Sequence, residues 1–197
     1  MSPLNDQQLT QIRDDRREQI KKAALTVFAR HGIAGTKMSM IAAEAGISQG
    51  LFYRYYSSKD SLFTALVQEL MEEAGKEIVY ITQQIPGTPM EQIKTLTQGM
   101  LDEDNKHAFM LIQQARKTDD VPEEVKQALE QHSPKVLIDL LVPIFIKGQQ
   151  IGEFSEGDPK VLLSWYLNII NSLIMQEQHN EEYGFPSVDI LMRIITK

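Results

Sequence analysis

Apolar residues recur along this chain at intervals of three and four, and no long segment alternates as a half-buried strand does, so the predicted fold is all-α. The first stripe, Ile20, Ala24, Val27 and Phe28, marks a helix over 14–31 that Gly32 ends. Two short helices follow between 38 and 57. A fourth opens at Ser57, with capping-box spacing to Asp60, and runs through Leu62, Phe63, Leu66, Leu70 and Met71 to Ile81. Its roughly twenty-five residues would span about 37 Å. Beyond the break Ile85-Pro86-Gly87-Thr88-Pro89, helices are predicted over 90–102, 106–117, 121–152, 159–179 and 187–196. Ser133-Pro134 offers a new start inside 121–152, and Pro143 a kink. Nine or ten helices result, without repeats or low-complexity segments.

The two short helices carry the most specific pattern. Ile41, Ala42 and Ala45 are spaced for one inward face, Gly46 supplies a turn with positive φ, and Ile47, Phe52 and Tyr55 supply a second inward face. Helices crossing steeply through so short a turn form a helix-turn-helix. Ser48 is placed to cap the second helix, whose outward positions read Gln49, Gly50, Tyr53 and Arg54. These residue types suit a nucleic acid: glutamine pairs with adenine, arginine with guanine, tyrosine reaches phosphate or a base edge, and glycine lets the backbone approach. No acidic residue occurs from Ile47 through Lys59.

Net charge changes the picture only when it is divided. The chain is −7 overall, but residues 1–60 hold nine Lys/Arg against six Asp/Glu, or +3, and residues 61–197 hold eleven against twenty-one, or −10. A basic head suffices for phosphate, and an acidic body weakens non-specific DNA binding. Arg13, Arg16, Arg17, Lys21 and Lys22 form a basic flank on the first helix that either is solvated or meets phosphate. The expected division is therefore a DNA-binding domain over 1–60 and a helical effector-binding and dimerisation domain over 61–197. The chain has no cysteine, which fits a reducing cytoplasm, and its first ten residues are too polar for a secretory signal. The apolar stretch Val136–Ile146 is too short to span a bilayer, so no membrane partner is expected.

From Ala45 to Leu62 the residues AGISQGLFYRYYSSKDSL follow, without a gap, the turn, recognition helix and fourth-helix start of the TetR family of transcriptional repressors, which residues 12–63 resemble. Phe52 and Tyr56 stand where Leu and Phe are more usual, and Lys37 where the family often has Ser or Thr, leaving Thr36 or Ser39 to cap the second helix. The resemblance implies a phosphate contact at Lys59, a homodimer held by the last two helices of each chain, and a body cavity for a small-molecule effector. The expected docking places Gln49, Tyr53 and Arg54 in successive major grooves of near-palindromic double-stranded operator DNA. Thr36, Lys37, Tyr55 and Lys59 then fix register on phosphates.

The helix over 159–179 is apolar on more than one side, which calls for either a central place in the core or a second subunit. Candidate effector-binding residues are Met100, Phe109, Met110, Gln113, Phe145, Trp165 and Asn168; the large soft side chains suit a pocket or a core equally, and Asn168 is the first choice for a polar contact because it sits in the most apolar helix. His31, His107, His132 and His179 are scattered, and neither a nucleophile with its base nor a Gly-rich phosphate loop can be assembled, so neither an enzyme, a metal site nor a cofactor is expected. The other readings are an activator, or a helical ligand-binding protein whose head does not act as a repressor.

Overall fold

The computed structural model describes residues 6–119, 121–176, 184 and 186–197, all helices and turns apart from one isolated antiparallel bridge. The elements are α1 Asp6–Gly35, α2 Met38–Glu44, α3 Gln49–Phe52, α4 Lys59–Gln83, α5 Pro89–Leu101, α6 Glu103–Lys117, α7 Glu123–Gln131, α8 Pro134–Gln150, α9 Pro159–Ile174 and α10 Val188–Met192. They form two compact units, Met1–Leu70 with Leu111–Gln127, and Met71–Met110 with Ala128–Lys197. Compactness thus does not follow the expected division at residue 60, because α4, α6 and α7 each contribute turns to both units.

In the first unit α1 buries Ile20, Ala24, Val27 and Phe28, and the Phe28 ring meets Phe63 of α4 edge-on at 5.0 Å. Gly32, with φ 65°, breaks α1 where an end was expected, and one further turn follows. A helix end leaves carbonyls without partners. Here side chains supply three donors: Gln114 Nε2 to Ala29 O, Thr36 Oγ1 to Gly32 O and Lys59 Nζ to Ile33 O, each at 2.7 Å. The reciprocal cap opening α4 joins Ser58 and Ser61 (3.0 and 3.2 Å), one position away from the expected Ser57 and Asp60.

The second unit is built on Phe145 of α8, stacked on Phe154 at 4.5 Å, with Ile93, Leu141, Leu163, Tyr166, Ile170 and Ile195 around them. Tyr166 Oη lies 2.8 Å from Thr97 Oγ1 and donates to Met192 Sδ, and burial pushes its phenol pKa up against the opposing Thr97 bond. The Thr88/Glu91 capping box with Pro89 starts α5, and Asp158 caps α9 through the Lys160 and Val161 amides. Pro143 sits inside a helix that continues from Pro134 to Gln150. The expected end of α9 at His179 lies outside the described residues. The last helix is shorter than predicted because Thr196 bridges Phe154 and Ser155 N donates to Ile195 O, so an extended pairing captures the terminal residues.

Gly148 permits this core. A Cβ there would fall within the Phe154 ring contact and 3.1 Å from Pro89 Cβ. Gly148→Ala is expected to destabilise the second unit by about 1–3 kcal/mol through overpacking, despite alanine's better helix propensity, as read by chemical denaturation.

Candidate nucleic-acid interface

The reading surface is assembled from short elements that cannot stand alone. α2 buries Ile41 and Ala42 and ends at Ala45, where Gly46 turns the chain with φ 63°. Ile47 N returns to Ala42 O at 2.9 Å, closing the turn. Ser48, in extended backbone, caps α3 by accepting the Leu51 amide at 3.2 Å. Past Phe52 the chain keeps turning, with Tyr55 N and Tyr56 N both donating to Phe52 O, so Tyr53 and Arg54 prolong the same rod.

Phe52 is fully buried, whereas Gln49, Gly50 and Arg54 are exposed and Tyr53 is 52% exposed. A Cβ placed on Gly50 would meet nothing within 4 Å, so the open face continues across it. Ser48 and Lys37 are exposed at the starts of α3 and α2. Gln49, Gly50, Tyr53 and Arg54 are therefore brought together on one solvent-facing surface. The inward aromatic that follows Phe52 is Tyr56; Tyr55, assigned inward above, is only half-buried.

Three polar residues have internal roles that the sequence pattern did not reveal. Thr36 is 2% exposed and its hydroxyl is bonded to Gly32 O, which corrects the expectation of a surface phosphate contact. Neither Thr36 nor Ser39 caps α2: Lys37 holds the cap position without a side-chain bond. Lys59 ties the start of α4 to Ile33 O, leaving two of its ammonium donors for other partners. Lys21, from the basic flank, is held by Glu18 at 2.8 Å and by Glu69 at 2.7 Å. Burial draws its pKa down, but the hydrogen bonds to both carboxylates outweigh that and hold the ammonium above the ordinary lysine range. Burial raises the neighbouring Tyr56 phenol, with Lys21 and Arg17 opposing it.

The body candidates do not converge. Met100 is buried and borders an open hollow of about 250 Å³, counting its mouth, with Leu101, Asp102, Glu103, Lys106, Leu173 and Ile174. Phe145 belongs to the core, and Phe109, Met110 and Gln113 are half-buried. Trp165 is 67% exposed and Asn168 is also exposed, three residues along the same outward face of α9, so the amide chosen for a polar effector contact lies on the surface. Of the last two helices, expected to form the interface, α10 buries Leu191 and Met192 within its own unit. α8 exposes Val136, Leu140 and Ile146 and α9 exposes Val161 and Trp165, while α1 exposes Leu9 and Ile12, α4 Val79 and Tyr80, and α5 Met90. No helix among the described residues is long and apolar enough to cross a membrane, and no three acidic or histidine side chains among them are grouped to hold a metal ion.

Residues 20–66 match the family described as bacterial regulatory proteins, tetR family. The HTH-type transcriptional repressor SCO4008 of Streptomyces coelicolor is 46% identical over 52 residues, 26% of this chain and 27% of that one. The HTH-type transcriptional regulator YfiR of Bacillus subtilis is 26% identical over 86% of this chain and 83% of its own. The chain spans only about a quarter to a half of the length of several curated relatives that it matches. The fold superposes on a TetR-family transcriptional regulator from Agrobacterium tumefaciens with a TM-score of 0.74 and 20% identity, covering 93% of this chain and 99% of that one.

Proposed function

Since its head belongs to the TetR family of bacterial regulatory proteins, we propose that the chain is a transcriptional repressor rather than an enzyme, binding a near-palindromic operator as a homodimer and released by a small-molecule effector. Residues 1–60 read DNA in this scheme, and residues 61–197 dimerise and bind the effector. The observation that carries it is the joint exposure of Gln49, Gly50, Tyr53 and Arg54 on a capped rod anchored by buried Phe52. Donor and acceptor groups on such a rod match base edges in a major groove. Support for two heads comes from α8 and α9, which pack together and leave apolar side chains uncovered, a surface suited to a second copy. An effector acts here only by binding more tightly to the state whose heads are wrongly spaced.

Selection of operators from random DNA tests the proposal, and the absence of any enriched, two-fold related sequence would defeat it. Arg54→Ala then assigns the role of the arginine. A base contact loses about 1–3 kcal/mol and relaxes specificity at one operator position, whereas equal weakening on all duplexes marks a phosphate contact.

A further inference from the structure

Gln19 of α1 joins two groups that the chain places far apart. Its Nε2 donates to Ala45 O at 2.6 Å across 26 residues, and its Oε1 accepts from Arg16 Nη1 at 2.6 Å, one turn back along α1. A carbonyl can only accept and a guanidinium can only donate, so the reversed amide would lose both bonds and the orientation is fixed. Ala45 is the C-cap of α2: its amide still bonds Ile41 O at 2.9 Å, but its carbonyl lies past the helix end, where carbonyls need outside donors. Gly46 follows it with positive φ and open space around its Cα, so side-chain contacts do not hold the turn at that point. Ser48, three residues after Ala45, opens the reading rod. The charge on Arg16 polarises the Gln19 amide and strengthens the bond on its far side. Arg16 is half-buried and keeps further N–H donors, since a guanidinium carries about five.

We propose that Gln19 is a positioning residue of the DNA-reading head, tying the turn before α3 to Arg16, which binds a backbone phosphate through its remaining donors. Phosphate contact and base-reading rod are thereby set in one register. The inference rests on the DNA-reading function.

The test uses the full chain, with a selected operator and a scrambled duplex titrated over a salt series. Gln19→Met keeps length, charge balance and helix propensity but removes both hydrogen bonds. Operator affinity is expected to fall about five- to tenfold, the scale of one such bond, with a drop of a few degrees in thermal midpoint, while scrambled-duplex affinity and salt slope stay at wild-type values. Arg16→Met is expected to weaken both duplexes and reduce the salt slope by about one. In the double variant the Gln19 change should cost less than it does alone, because nothing remains to polarise the amide. Equal loss on both duplexes in Gln19→Met, no loss at all, or an unchanged salt slope in Arg16→Met overturns the proposal. Gln19→Ala repeats the comparison should the methionine variant lose more than those few degrees, and a specificity loss absent from both variants has the same meaning. A wild-type protein that prefers no duplex instead refutes the DNA-reading function, and this inference with it.

Discussion

Replacing Val161 and Trp165 together by glutamate should yield a folded monomer whose operator affinity is about 10²–10⁴-fold below that of the wild type, the span typical of losing one of two linked binding events. Both side chains are already more than half exposed within the chain, at 52% and 67%, so their removal leaves no cavity. They lie one turn apart on α9, and Val136 and Leu140 repeat that spacing on the adjoining α8. In a twofold dimer the same patch meets itself, so two substitutions per chain place four carboxylates around one axis. Desolvating unpaired carboxylates while they repel one another outweighs the apolar gain that remains. Glutamate at position 161 falls in the first turn of α9, where a negative charge is favourable to the helix, so the monomer should keep its secondary structure. Sedimentation measures the oligomer, circular dichroism the fold and anisotropy the affinity. A variant that stays dimeric at micromolar concentration would place the subunit contact on another face.

The reading head was legible because its determinants are local. Gly46 at a turn with positive φ, Ser48 three residues before the amide it caps, and Phe52 inward among outward Gln49, Tyr53 and Arg54 follow from spacing along a few turns. Thr36, Lys59 and Lys21 were not legible because their partners are created elsewhere. The break at Gly32 exposes carbonyls that Thr36, four residues on, and Lys59, 26 residues from its partner, then satisfy, and Glu69 lies 48 residues from Lys21. Gln19 gives no local sign of Ala45 for the same reason. The body misled in another way. An all-round apolar α9 makes Asn168 the first choice for a polar contact, but Asn168 and the surplus apolar surface, Trp165 included, face outward, and hydrophobicity alone does not distinguish a core from a subunit contact.

Phe52→Ala should abolish DNA binding by releasing the reading rod from the head, at a cost of about 3–5 kcal/mol for a fully buried phenylalanine. Phe52 is the one buried residue of α3, whose helix is four residues long and too short to persist without tertiary anchorage. Its ring also lies 6.1 Å from the ring centroids of both Tyr53 and Tyr56, so its loss withdraws support from one exposed and one buried neighbour. Affinity for operator and for scrambled duplex should vanish together, unlike the selective loss expected at Arg54 or Gln19. Amide exchange across residues 38–56 should approach that of an unprotected chain, since those amides depend on α2 and α3 staying docked. Tyr53→Ala is the control: at an exposed position it should alter DNA affinity with little change in stability. Persistence of slow exchange through Ser48–Tyr56 in Phe52→Ala, with intact operator binding, would show that the rod is held by something other than this ring.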